Sequence, residues 1–182
     1  MTATLYVAVT GAPLARRTAD AIPEARARGW VPAVIATAAA QQWLDLDALA
    51  GLDVPVITEQ RTPGTAKRLP PADAVAIVPA TFNTVNKLAT GIADTYPMSV
   101  LCEALGNGVP ITVVPFLKAS LANHPAWSAS LTVLQHAGVA LIDPRDGERG
   151  THVPLTSGTG DAVAEGFKWA WVLDHLPALA PD

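Results

Sequence analysis

The sequence is short of cysteine, of charge and of long apolar runs. One cysteine, Cys102, among 182 residues excludes an intrachain disulfide framework and a cysteine-rich metal site. Charged residues make up only 15% of the chain and the net charge is −4. A nucleic-acid binder would carry a Lys/Arg stripe, so that partner is not expected. No stretch approaches the ~20 apolar residues of a membrane span. The opening run Met1 to Val9 has no basic start and too short an apolar part for a signal peptide, so the expected compartment is the cytoplasm. The four histidines form no HxxxH or HxH pair and no GxSxG occurs. Neither a metal site nor a serine-hydrolase elbow is expected.

What is present is apolar sequence, at 50% of residues. That is enough for one well-buried domain over residues 1–182. Short apolar runs alternate with longer amphipathic stretches. Leu5–Val9, Val31–Ala36, Val54–Ile57, Ala74–Val78, Ile111–Val114 and Val139–Ile142 read as strands. Leu14–Arg28, Ala38–Ala50, Thr84–Ala93, Met98–Leu105, Pro125–Ala137 and Asp161–Leu176 read as helices, several stopped by glycine. Thr58–Pro71 and Asp143–Gly160 read as loops. The alternation implies an α/β fold with a parallel sheet covered on both faces. In such sheets ligands sit beyond the carboxyl ends of the strands, so the residues just after each strand carry the functional information.

After the first strand, Gly11 and Ala12 permit a tight turn and a close backbone approach, and the same residues equally serve an ordinary β-to-α turn. After the second, Thr37 offers a hydroxyl and Trp43 an aromatic face for a flat ring; Trp43 reads equally as a core or interface aromatic. The fourth strand leads into Pro79-Ala80-Thr81-Phe82-Asn83-Thr84, then Lys87, Ala89, Gly91, Ile92 and Asp94. Here Pro79 ends the strand, Ala80 and Thr81 leave room for a planar ligand, and Thr84 caps the helix. Asn83 supplies amide donors and an acceptor for a heterocycle edge.

This segment resembles the P-A-T-x-N-T…K-x-A-x-G-I-x-D signature of the flavin-containing cysteine decarboxylase family. That family includes phosphopantothenoylcysteine decarboxylases and lantibiotic peptidyl-cysteine decarboxylases. Supporting spacings are Gly11-Ala12, Thr37 six residues before Trp43, and Pro115 to Lys118 five residues before His124-Pro125-Ala126. The resemblance spans roughly residues 4 to 145. It implies a three-layer, Rossmann-like (flavodoxin-like) sandwich that binds FMN through Gly11, Ala12, Thr37, Ala80, Thr81, Asn83 and Thr84. It also implies a homotrimer, or a dodecamer of four trimers.

The sequence departs from that family in three places. The family's histidine is absent from the stretch Arg61 to Asp73, where Thr65 stands nearest and cannot act as a base at neutral pH. The family's P-A-M-N is Pro115-Phe116-Leu117-Lys118, so a carboxylate meets Lys118 as a point charge or not at all, since Lys118 reads equally as a solvated lysine. Asp143–Gly160 holds no cysteine. His124, before Pro125, reads as a helix start. The expected protein is an FMN-binding flavoprotein with a rebuilt substrate site, acting on a small or peptidyl substrate. The alternative is a catalytically silent FMN-binding subunit. No catalytic residue is assigned.

Overall fold

The computed structural model describes residues 3–179, apart from 61, 63, 67, 151 and 152. Among these residues, six parallel strands form one sheet in the order β3-β2-β1-β4-β5-β6. They are β1 (Ala3–Val9), β2 (Trp30–Ala36), β3 (Val56–Ile57), β4 (Ala74–Ala80), β5 (Ile111–Pro115) and β6 (Ala140–Leu141). Without the two-residue edge strand β3 the order is that of flavodoxin-like folds; with it, that of the dinucleotide-binding folds.

Side-chain alternation divides the molecule into layers. Leu5, Val7 and Val9 of β1 and Ala74, Ala76 and Val78 of β4 point to one core. That core is closed by α1 (Thr18–Ala27), α2 (Leu46–Gly51), α7 (Gly160–Gly166) and α8 (Ala170–Leu173). Tyr6, Ala8, Val75 and Ile77 point to the other. There they meet α3 (Phe82–Thr90), α4 (Tyr96–Gly106) and α6 (Pro125–His136), with the single turn α5 (Ala119–Ala122) leading into α6. Both faces of β1 and β4 are therefore buried, which explains why their sequences run apolar without a break.

Several sequence expectations need correction. The helix expected over Ala38–Ala50 is a 3-10 turn at Ala38–Ala40, an irregular bend carrying Trp43, and then α2. Asp45 caps α2 by accepting the Ala48 amide at 2.9 Å, and a new start there is incompatible with one continuous helix. The helix expected over Asp161–Leu176 breaks at Phe167, which is extended with ψ 140°. The break lets both Phe167 and Trp169 enter the core, Trp169 donating its indole N–H to the Arg17 carbonyl at 2.6 Å. Asp161 lies inside the first turn of α7, and Thr159 holds the cap position. Pro79 does not end β4, which continues to Ala80. The first helix opens as a 3-10 turn at Pro13–Arg17 before α1.

Candidate functional site

β1 and β4 are neighbours at the point where the strand order reverses, the usual place for a ligand in an open α/β sheet. Thr10 ties their ends together. Its buried hydroxyl donates to the Pro79 carbonyl at 2.7 Å and accepts the Thr81 amide at 3.0 Å. Next to it, Gly11 packs against the segment after β2. A Cβ at Gly11 would lie 2.8 Å from the Ala39 carbonyl oxygen, so a side chain there would push the two turns apart.

Beyond this junction opens a cleft of about 820 Å³, in the range of cofactor sites. Gly11 and Ala12 line it from the β1 turn, Thr37 and Trp43 from the segment after β2, Thr81, Asn83 and Thr84 from the start of α3, and Lys118 from the segment after β5. The sequence-expected residues thus converge, with one exception. Ala80 lies fully buried in the core below the cleft and does not line it.

Each lining residue is placed by its own local structure. The Thr37 amide donates to the Val9 carbonyl at 3.0 Å, which sets Thr37 beside the end of β1. Its hydroxyl oxygen is buried and has no hydrogen-bond partner among the described residues. An unpaired buried hydroxyl costs ~1–3 kcal/mol, an energy that a polar group entering the cleft would offset.

Thr81, not Thr84, holds the cap position of α3. Its hydroxyl caps nothing and instead meets the Thr84 hydroxyl at 3.1 Å. The first turn of α3 contains no acidic residue, so neither a side-chain cap nor a carboxylate offsets its positive end. Asn83 is exposed at the cleft. Farther along, Gly91 turns left-handed with φ 71° and ends the helix. The following segment brings Asp94 to Lys87 at 2.6 Å, and the hydrogen bond from Lys87 holds the Asp94 carboxyl below its usual range. The Lys87…Asp94 part of the sequence signature is therefore an ion-paired helix end.

Charge in the cleft is mostly neutralised in pairs. Lys87 is paired with Asp94, and Asp161 with Arg16, whose guanidinium also lies 5.8 Å from the centre of the Trp43 ring. Among the described residues Lys118 makes no ion pair, so it supplies the cleft's uncompensated positive charge. Phe82, Phe116, Leu117 and Leu121 give the cleft apolar lining. Phe82 stacks on Trp127 at 6.0 Å and meets His124 edge-on at 5.8 Å.

The remaining candidates lie outside the cleft. His124 caps α6, its Nδ1 accepting the Ala126 amide at 3.1 Å. His136 ends α6 and His175 follows α8, its Nδ1 against the Trp171 carbonyl. His152 lies outside the described residues. Thr65 is exposed, with its hydroxyl donating to the Thr62 carbonyl at 2.7 Å. Cys102 sits half-buried on α4, where burial pushes its thiol up from the usual value. Sequence reasoning missed Thr10 as the tie between strands, and it missed the wall formed by Thr156, Ser157, Gly158 and Gly160. A threonine before a glycine reads as a plain turn, and a Gly/Ser/Thr loop gives no sign of which way it folds.

The model of the Flavoprotein family matches residues 2–161. The chain belongs to the Flavoprotein family. Among curated proteins, this flavoprotein is 36% identical over 74 residues to the coenzyme A biosynthesis bifunctional protein CoaBC of Thermococcus kodakarensis, covering 41% of this chain and 18% of that protein. The chain thus spans about a fifth of the length of that relative. Among solved structures it resembles the FMN-dependent cysteine decarboxylase TvaF from thioviridamide biosynthesis. The TM-score is 0.67 at 23% identity, covering 78% of this chain and 90% of that one. It also resembles AnUbiX (PadA1), solved in complex with FMN and dimethylallyl pyrophosphate, with TM-score 0.70 at 16% identity, covering 96% and 92%. At these identities the two structures share the fold.

Proposed function

We propose that this flavoprotein holds FMN in the cleft and acts on a small or peptidyl substrate bearing a carboxylate or similar anion. The observation that carries the reading is the buried, unpartnered Thr37 hydroxyl in the wall of a cleft at the strand-order reversal. A hydroxyl left unmet there calls for a polar ligand group that accepts from it or donates to it. Gly11, Ala12, Thr37, Thr81, Asn83 and Thr84 would hold the cofactor. Trp43 would flank it and Ala80 would underlie it as core. Bound FMN supplies a two-electron acceptor. The chain's own residues do the rest. Asn83 matches the donors and acceptors of the ring edge, the positive start of α3 favours electron-rich groups, and Lys118 attracts the substrate anion.

This reading takes residues 1–182 as one flavoprotein domain in the cytoplasm, assembled as a homotrimer or a dodecamer. Its substrate site is altered relative to the cysteine decarboxylases, because Leu117-Lys118 replaces the family's Met-Asn and Thr65 is the nearest match to the missing histidine. One observation favours a second reading, a catalytically silent FMN-binding subunit. No histidine lines the cleft among the described residues, and its two charged groups other than Lys118, Lys87 and Asp161, each stand in an ion pair.

The test has two stages. The purified protein is expected to show flavin absorbance and to release a ligand with the mass of FMN; a colourless protein that ignores added FMN overturns both readings. Peptides ending in cysteine, incubated with the holoprotein, then separate the two. Loss of carbon dioxide, read as a mass change, supports the enzyme, and unchanged peptide supports the silent subunit.

A further inference from the structure

Asp143 follows β6 and is almost completely buried, its side chain 1% exposed. Burial opposes its charge, but four donors outweigh that and hold the carboxyl below its usual range. Oδ1 accepts the Arg145 amide at 2.9 Å and Arg145 Nε at 2.8 Å. Oδ2 accepts Arg145 Nη2 at 2.7 Å and the Val153 amide at 3.1 Å. The Val153 bond reaches ten residues along the chain. Two residues past Val153, Leu155 pairs with Lys118 as a parallel bridge. The Leu155 amide donates to the Leu117 carbonyl at 2.9 Å, and the Ala119 amide donates to the Leu155 carbonyl at 3.1 Å. Leu155 itself is buried, and from there Thr156 to Gly160 form one wall of the cleft.

We propose that Asp143 is a positioning residue for the cleft: its carboxylate clasps the Val153 amide, laying the 153–155 strap beside Leu117–Ala119 and thereby fixing both the 156–160 wall and the backbone of Lys118. The clasp rests on the reading of this cleft as the ligand site, but its structural part is testable without a ligand. Among the described residues, breaking it leaves the strap held by the two Leu155 backbone bonds and the buried Leu155 side chain, so local opening becomes easier while the sheet stays intact.

Two variants separate this role from general stability. Asp143→Asn removes the charge and one acceptor. Val153→Pro removes the clasped N–H itself at a residue whose side chain is exposed, and it decides the matter if the first variant does not fold. In both, amide exchange at Leu155 and Ala119 is expected to speed up about tenfold or more, with exchange in β1 and β4 unchanged. The dissociation constant for added FMN is expected to rise about tenfold, through faster release. Unchanged protection at Leu155 and Ala119 overturns the proposal, as does faster exchange spread evenly over the sheet. If the parent protein fails to bind FMN while the local exchange effect appears, the flavin reading falls and the clasp stands.

Discussion

Replacing Thr10 by valine tests the junction beneath the cleft. The shape is nearly kept, but the hydroxyl that donates to the Pro79 carbonyl and accepts the Thr81 amide is gone. Thr10 is 2% exposed, so water cannot readily replace it at the Pro79 carbonyl. The Thr81 amide sits at the half-buried cleft floor and can find water or ligand. One stranded carbonyl costs about 1–3 kcal/mol, and a re-solvated amide adds up to about 1 kcal/mol. The expected loss is therefore about 1–4 kcal/mol, a large part of a typical domain's stability. Urea unfolding should show a lower midpoint with an unchanged slope. Thr10→Ser, which keeps the hydroxyl, should recover most of the loss. The valine variant should also bind FMN about tenfold more weakly, because the free end of β4 no longer holds the start of α3. If the valine and serine variants unfold alike and bind FMN alike, the hydroxyl does not tie the strands and the reasoning fails.

Other predictions concern individual walls of the cleft. Gly11→Ala places a methyl 2.8 Å from the Ala39 carbonyl oxygen and should cost about 1–3 kcal/mol in thermal or urea unfolding, with loss of bound flavin; an unchanged Tm and flavin content would refute the close packing. Asn83→Ala touches an exposed residue and should change stability by no more than about 0.5 kcal/mol, while FMN affinity measured by fluorescence quenching falls about tenfold; equal affinity removes Asn83 from the site. Because the folded Asp143 carboxyl lies below its unfolded value, its stabilisation is complete above the ordinary carboxylate range near pH 4 and is lost as pH falls through the folded value. Amide protection at Leu155 should hold from about pH 7 to about pH 5 and weaken only below about pH 4. A loss of protection already near neutral pH contradicts the assignment.

The sheet was legible because burial on both faces leaves uninterrupted apolar runs such as Leu5–Val9 and Ala74–Val78. The cleft was legible because the strand ends must face one side, and Gly11, Thr37, Asn83 and Lys118 each follow a strand. Tertiary demands hid the rest. The alanines around position 40 favour a helix locally, yet the chain bends so that Asp45 can start α2 and Trp43 can reach the cleft. The helix ends at Gly166, a stop hidden because the apolar pattern runs on beyond it; burying Phe167 and Trp169 in one core outweighs that pattern. Asp143 read as one more loop carboxylate, since its partners Arg145 and Val153 are brought together only by the folded loop.

A fluorescence titration of flavin-free protein with FMN, run beside the Thr37→Val variant, reads flavin binding in the cleft itself. Saturable quenching at one FMN per chain is expected in the parent, with about tenfold weaker binding once the Thr37 hydroxyl is removed. Flavin fluorescence that stays constant in the parent, or binding indifferent to Thr37, contradicts a flavin held in this cleft.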